Sequence, residues 1–261
     1  MVESLQKNNL KKFGGELKWI NPNFLVTENN VNRIESFFIG LGLVFNDLKG
    51  LILFEKLLIE NYEKPDSKAT IHTGNYGGML VQLQRLMAST INEFFSFLKE
   101  SDDVISSNEF INILNKIPKS DKQSWDTIVA AAHGKLPSAE SLLKAILFIR
   151  SNIVSHYDHS GKILRRGFIS FFFSEEKKDF KNEYAYYSIG KDIESTRFCF
   201  SDAAAEESLY IAAGKKFKKN STGDISAEKY RQGIRETIII MNSTITILLG
   251  AYIKSRRNMP H

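Results

Sequence analysis

From Val31 to Tyr62 the chain places apolar residues at helical spacing, with no proline to interrupt them. Ile34, Phe37, Phe38, Leu41, Val44, Phe45, Leu48, Leu51, Ile52, Phe54 and Leu58 recur mostly at intervals of three and four. A segment this long and this regular cannot be a strand, and its apolar stripe is too wide for a helix covered by water. The pattern therefore predicts one long helix buried on more than one side. Asn46, Asp47 and Lys49 are its polar interruptions. Asp47 is expected in solvent or beside a neighbouring Arg or Lys, because an ionised carboxylate inside an apolar helix must find a partner.

The same spacing recurs downstream. Pro65 to Gly78 reads as a polar connection whose Gly74, Gly77 and Gly78 form a flexible turn. They lack the GxGxxG or GxxxxGK[ST] spacing that converges backbone amides on a phosphate. Helices are predicted at Met79 to Leu98, Ser107 to Lys116 and Ser120 to Ala132, the last stopped by Gly134. Pro137 and Ser138 open a further helix that runs to about Tyr157, and Asp158 to Gly161 end it. Between Ile163 and Phe200 the chain is rich in aromatics and keeps no single period, which predicts an irregular insertion, a hairpin about Gly190 or an extended crossing segment. Ser201 or Asp202 then caps a helix that carries AAAEESLYIAAGKKF, with Gly214 and several lysines near its end. A final helix is expected from Ser226 to about Lys254, although IIIMNSTITILL is β-branched enough for a strand by propensity alone. The fold class is thus all-α, a bundle of about five to seven helices with one aromatic-rich insertion. Residues 31–261 form one domain, with 1–30 as an N-terminal extension and the insertion at about 163–200.

Composition narrows the chemistry. The 261 residues carry 35 Lys and Arg against 30 Asp and Glu, so a net charge of +5 permits a phosphate-bearing partner without requiring one. A lone cysteine, Cys199, can form neither an internal disulfide nor a multi-cysteine zinc site, which points to a reducing, cytoplasmic setting. The opening MVESLQKNNLKKFGGELKW has no apolar core of a signal peptide. Phe37 to Phe45 is short, and Ile238 to Ile253 is interrupted by Asn242, Ser243, Thr244 and Thr246, against the about 20 apolar residues a bilayer needs. A soluble chain with no membrane partner is expected.

The segment opened by Ser138 holds the residues best suited to catalysis. On an ideal helix Ile146, Ile149 and Ile153 lie within about 40° of Leu142, while Leu143, Leu147 and Val154 form a second stripe about 120° away. Such a helix is buried in a bundle or in a subunit interface. Arg150 falls between the stripes and His156 at the edge of the first, with Asn152 one turn before His156. A guanidinium can hold two phosphodiester oxygens and offset charge that grows in a pentacovalent transition state. An imidazole can take the proton of a ribose 2′-hydroxyl or give one to the leaving 5′-oxygen. Asn152 could orient the ring or donate to phosphate, and such a cleavage needs neither metal nor cofactor. The alternative is structural: Arg150 pairs with a carboxylate such as Asp47, and His156 satisfies a backbone carbonyl.

The segment FIRSNIVSHYD resembles the signature of the HEPN superfamily, in which an Arg, a polar residue and a His four to six residues beyond the Arg lie on one helix of an α-helical bundle. The resemblance rests on about ten residues. NDLKGLILFEKLL and TRFCFSDAAAEESL are also similar to stretches of unassigned members. It implies that two copies meet across a dimer to form a metal-independent endoribonuclease site, often in a toxin or defence effector restrained by an antitoxin or regulatory protein. Arg150 and His156 would take the catalytic roles, with Ser151 or Asn152 as the polar companion and Tyr157 and Asp47 supporting. Five residues separate Arg150 from His156 where four are commoner in the family, and Tyr157 follows the His directly. Toxins with a nucleotidyltransferase antidote often place a Tyr two residues on, where this chain has Asp158. Six positions set Arg150 and His156 about 120° and about 9 Å apart along one helix, which favours a composite site across a two-fold axis. The partners implied are RNA and a second copy of the chain; the alternative function is an inactive helical module that binds nucleotides or proteins.

Other groups are weaker. His156, Asp158 and His159 lack the third or fourth ligand and the supporting shell of a zinc site. His72 and His133 read as surface or capping histidines near glycine turns. Lys215, Lys216, Lys218 and Lys219 with Lys254, Arg256 and Arg257 form basic clusters available to an RNA backbone, although such runs usually solvate helix ends.

Overall fold

A computed structural model describes residues 20–27, 32–63, 70–135, 162–173, 184–217 and 227–257. Among them are eight α-helices, a 3-10 turn at Pro22–Phe24, and no strand. In chain order the helices are α1 (Arg33–Glu60), α2 (Ile71–Glu100), α3 (Asp102–Ile105), α4 (Asn108–Leu114), α5 (Lys119–Ala132), α6 (Lys162–Phe172), α7 (Cys199–Phe217) and α8 (Ala227–Arg257). The all-α expectation holds. The β-branched run IIIMNSTITILL is helical because its buried positions Ile238, Met241, Ile245 and Leu248 recur at helical spacing against the core, and that burial outweighs propensity.

Local chemistry sets the boundaries. Asn32 caps α1 by accepting from the Ile34 amide at 3.0 Å. At the other end the Asn61 amide side chain donates to the Leu57 carbonyl at 2.7 Å. Thr70 and Thr73 form a reciprocal capping box that starts α2 eight residues before the predicted Met79. The glycine cluster is therefore helical, which corrects its reading as a flexible turn. A Cβ added at Gly74 would meet the Cys199 Sγ, and one added at Gly78 would overlap the Arg197 guanidinium. These two glycines, four residues apart on one face, let the start of α7 and the segment before it lie directly on α2.

The core is aromatic at its centre. Phe38 stacks on Tyr252 of α8 with ring centroids 4.1 Å apart, and Phe37 stacks on Phe97 at 5.2 Å. Phe110 meets Phe37 edge-on at 5.6 Å and Trp125 at 5.5 Å. All but Phe97 are buried, so α1, α2, α4, α5 and α8 share one hydrophobic cluster. Both α1 and the Arg231–Arg256 part of α8 are long and apolar enough to cross a membrane by length and composition. This corrects the expectation that Phe37 to Phe45 is too short and Ile238 to Ile253 too interrupted to reach that length. In this fold one face of each helix supplies the core instead.

The insertion divides in two. Its first part is α6, a helix the mixed aromatic pattern concealed, and its second is irregular. Ser188 and Arg197 form a single antiparallel bridge around Gly190, with Ser188 N to Arg197 O at 2.7 Å and Arg197 N to Ser188 O at 2.9 Å. The loop is closed by Asp192, which accepts from the Ser195 amide at 2.8 Å. Helix α7 starts at Cys199 rather than at Ser201 or Asp202. Asp202 does not cap it but takes the Arg197 Nε at 2.9 Å.

Helices α6 and α7 pack at glycine distance. A Cβ on Gly167 would come within 2.1 Å of the Ser208 Oγ and 2.2 Å of the Ala204 carbonyl oxygen. Ser208 cannot yield, since it donates to the Ala204 carbonyl at 2.7 Å and to the Ile163 carbonyl at 3.0 Å. Gly167→Ala is accordingly expected to lose about 1–3 kcal/mol, as overpacking against backbone does. Gly78→Ala meets first the end of the Arg197 side chain, which can shift at the expense of its Asp202 pair, and is expected to lose less. Chemical denaturation midpoints of the two variants test the order.

Candidate functional site

The residues singled out for chemistry, Arg150, Ser151, Asn152, His156 and Tyr157, lie outside the described residues, as do His159, Lys218, Lys219 and His261. Asp47 is described. It is exposed on α1 and takes no part in an ion pair among the described residues, in agreement with the solvent reading of that position. The buried carboxylates of α1 are others. Glu35 is 2% exposed and Glu55 is 8% exposed, the latter 4.0 Å from the Arg235 guanidinium. Spacing alone hides them, because both fall on the apolar register of the helix.

Glu35 is the centre of a polar knot. Its Oε1 accepts from the Arg256 Nη2 at 2.7 Å and from the Thr27 hydroxyl at 3.0 Å, and its Oε2 accepts from the Thr27 amide at 2.9 Å. Arg256 Nε donates to the Phe24 carbonyl at 3.0 Å, and the Tyr252 hydroxyl donates to the Leu25 carbonyl at 2.6 Å. Arg256 is therefore a structural cation that ties residues 24–27 to α1 and α8. This corrects its place in an RNA-facing basic cluster. Lys254, on the same helix, stays exposed.

Burial pushes the Tyr252 phenol up to about 12, against a smaller opposing pull from the Arg256 charge. A pKa raised above the unfolded value of about 10 means that the stabilising contribution is complete below pH 10 and is lost as pH rises towards 12. Tyr252→Phe is expected to be less stable than the parent chain at pH 8, by about 1 kcal/mol for the lost hydrogen bond. It should also lack the parent's Tyr252-linked fall in stability between pH 10 and 12, which denaturation midpoints along that pH range would detect.

Two grooves flank α1. The first, about 460 Å³, lies between α1 and α2, and Leu57, Leu58, Met79, Leu83 and Leu86 make its apolar wall. At one end Tyr62 stacks on Tyr76 at 3.7 Å and on His72 at 5.5 Å, and the His72 Nε2 lies 3.0 Å from the Glu63 carbonyl oxygen. His72 is thus part of an aromatic stack in the first turn of α2. The second groove, about 480 Å³, lies between α1 and α8 and combines Phe45, Ile52, Leu53, Ile239 and Ile247 with Lys49, Ser243 and Thr246. Asn242 also lines it, and the Asn242 Oδ1 is buried without a hydrogen-bond partner. Neither groove was legible from motifs, since both are made by residues that read as core or as helix surface.

The remaining polar pairs are structural. His133, at the C-terminal cap of α5, lies 2.9 Å from Asp102 at the start of α3, which bears out its reading as a capping histidine. Burial raises the Cys199 thiol above its ordinary range, so the nucleophilic thiolate is disfavoured there. Among the described residues no three His, Cys, Asp or Glu side chains cluster as metal ligands. Compared with known proteins, the chain matches no family model, no curated protein and no solved structure.

Proposed function

We propose that this chain is a HEPN-like, metal-independent endoribonuclease acting as a toxin or defence effector. The observation that carries the reading is the segment FIRSNIVSHYD, with Arg150, Asn152 and His156 set among two apolar stripes. An all-α bundle is the architecture in which such a segment is expected. In this reading His156 accepts the 2′-hydroxyl proton, the 2′-oxygen attacks the adjacent phosphorus as the bond to the 5′-oxygen breaks, and the leaving 5′-oxygen takes a proton from water, to which His156 later returns the one it accepted. Arg150 holds the non-bridging oxygens as charge accumulates on them. Asn152 or Ser151 orients the ring or the phosphate, and two copies complete one site. The products are a 2′,3′-cyclic phosphate and a 5′-hydroxyl.

A second reading, an inactive helical module that acts through partner contacts, is favoured by the two apolar grooves beside α1. Purified protein incubated with total RNA in EDTA, beside His156→Ala and Arg150→Ala, separates the two. Cleavage by the parent chain that both variants lose supports the enzyme. Cleavage undiminished in both, or none in any, favours the module.

A further inference from the structure

We propose that the groove between α1 and α2 binds an organic cation, a primary ammonium group carried on an aliphatic chain. Its volume, about 460 Å³, falls within the range of small-molecule sites. From Tyr76 to Leu86 the groove follows α2 for about 15 Å, at 1.5 Å per residue. Leu57, Leu58, Met79, Leu83 and Leu86 make most of that length aliphatic, while the end of α1 and the first turns of α2 make one end polar and aromatic.

The polar end is suited to a ligand that donates. Asn61 commits its amide nitrogen to the Leu57 carbonyl at 2.7 Å, and Asn75 commits its own to the Glu194 carbonyl at 3.1 Å. A carbonyl oxygen only accepts, so both contacts fix which atom of each amide is nitrogen, and neither Oδ1 takes a hydrogen bond from a described residue. The His72 Nε2 stands 3.0 Å from the Glu63 carbonyl oxygen, which places the proton on Nε2 and leaves Nδ1 as an acceptor in the neutral ring. Tyr62 lies nearly parallel to Tyr76 and His72, at 16° and 14°, so the same end is walled by ring faces. An ammonium group is attracted to a tyrosine face by the ring quadrupole.

Charge sets the sign of the head group. Among the described residues no Lys, Arg, Asp or Glu lines the groove, so a charged head meets no competing ion inside it. At the polar rim, Glu63 and Glu194 supply the carbonyls that meet His72 and Asn75. Both are exposed, and neither forms an ion pair among the described residues. Two uncompensated carboxylates beside acceptors and ring faces attract a cation and repel a carboxylate or phosphate. A nucleotide is therefore the wrong ligand, since no cation in the groove would hold its phosphates against those carboxylates. An uncharged alcohol could fill the aliphatic part but would forgo both attractions at the head.

This site is independent of the ribonuclease reading and survives its failure. The test is isothermal titration calorimetry of the full chain at low salt with octylammonium, octan-1-ol, octanoate and butylammonium. Octylammonium is expected to bind at one site, about tenfold more tightly than octan-1-ol, and octanoate is expected not to bind. Butylammonium, with the reach of a lysine side chain, should bind at least about tenfold more weakly than octylammonium, because it leaves the aliphatic wall uncovered. Glu63→Gln combined with Glu194→Gln should reduce the preference for octylammonium over octan-1-ol several-fold at unchanged thermal midpoint, both residues being exposed. Leu86→Gln should weaken octylammonium and octan-1-ol alike. Equal affinity for octylammonium and octanoate, equal affinity for octylammonium and butylammonium, or a preference untouched by the double Glu→Gln variant would each overturn the proposal.

Discussion

Replacing Arg256 by alanine is expected to lower the thermal midpoint by on the order of 10 °C. The change leaves the Glu35 carboxylate, 2% exposed, with only the Thr27 amide and hydroxyl as donors. Breaking a buried ion pair from one side costs about 3–5 kcal/mol, because the remaining charge stays desolvated. For a chain of this size each kcal/mol moves the midpoint by about 2–4 °C. Glu35→Ala is expected to do comparable harm by taking from the Arg256 guanidinium its buried carboxylate partner. The double replacement Glu35→Leu with Arg256→Met should recover most of the loss, since apolar residues of similar volume need no charged partner there. Calorimetry on the four chains of this cycle measures the coupling directly. Single variants within about 1 kcal/mol of the parent would show that the pair is hydrated and does not clamp residues 24–27 to the bundle.

That clamp also marks where sequence reading fails. Arg256 and Glu35 are 221 positions apart, and nothing in either local pattern announces the other. Next to Arg257 and a terminal His, Arg256 reads as part of a solvated basic tail. Only the arrival of α8 beside α1 converts it into a buried cation. Glu55 is hidden for the mirror-image reason: it falls on the apolar register of α1, and its carboxylate lies 4.0 Å from the Arg235 guanidinium on a distant helix. By contrast, the long elements were legible because periodicity over a whole helix averages out single exceptions. Helix α1 differs from its predicted span by two residues at each end. Glycine is the signal that local reading handles worst. Gly74 and Gly78 look like a turn, yet they are helical and exist to admit Arg197 and Cys199. Such a role depends on what packs against the helix, which no spacing rule contains. Helix α6 was hidden because its eleven one-sided residues run straight on into a further aromatic stretch, and the two read together as one aperiodic segment.

The catalytic proposal has the largest expected effect of all and rests on the part of the chain where sequence pattern speaks alone. His156→Ala is expected to reduce RNA cleavage by about 10²–10⁴-fold at neutral pH, the usual loss when a positioned general acid–base is removed. Arg150→Ala should fall by about 10²–10³-fold, as when one donor to a developing oxyanion is lost. Arg150→Lys should stay impaired, because a single ammonium cannot reproduce two parallel hydrogen bonds to a phosphate. Neither loss should be restored by added divalent cation. The composite geometry adds a sharper outcome. If Arg150 of one copy serves the same phosphate as His156 of the other, mixing the two inactive variants regenerates intact sites in the mixed dimers. Half of the dimers are mixed and each holds one intact site of two, so about a quarter of parent activity should return. Sites in which Arg150 and His156 come from the same copy cannot be repaired by mixing. Gel assays of the mixture, against each variant alone at the same total concentration, decide between these arrangements, and full activity in His156→Ala by itself would end the catalytic assignment.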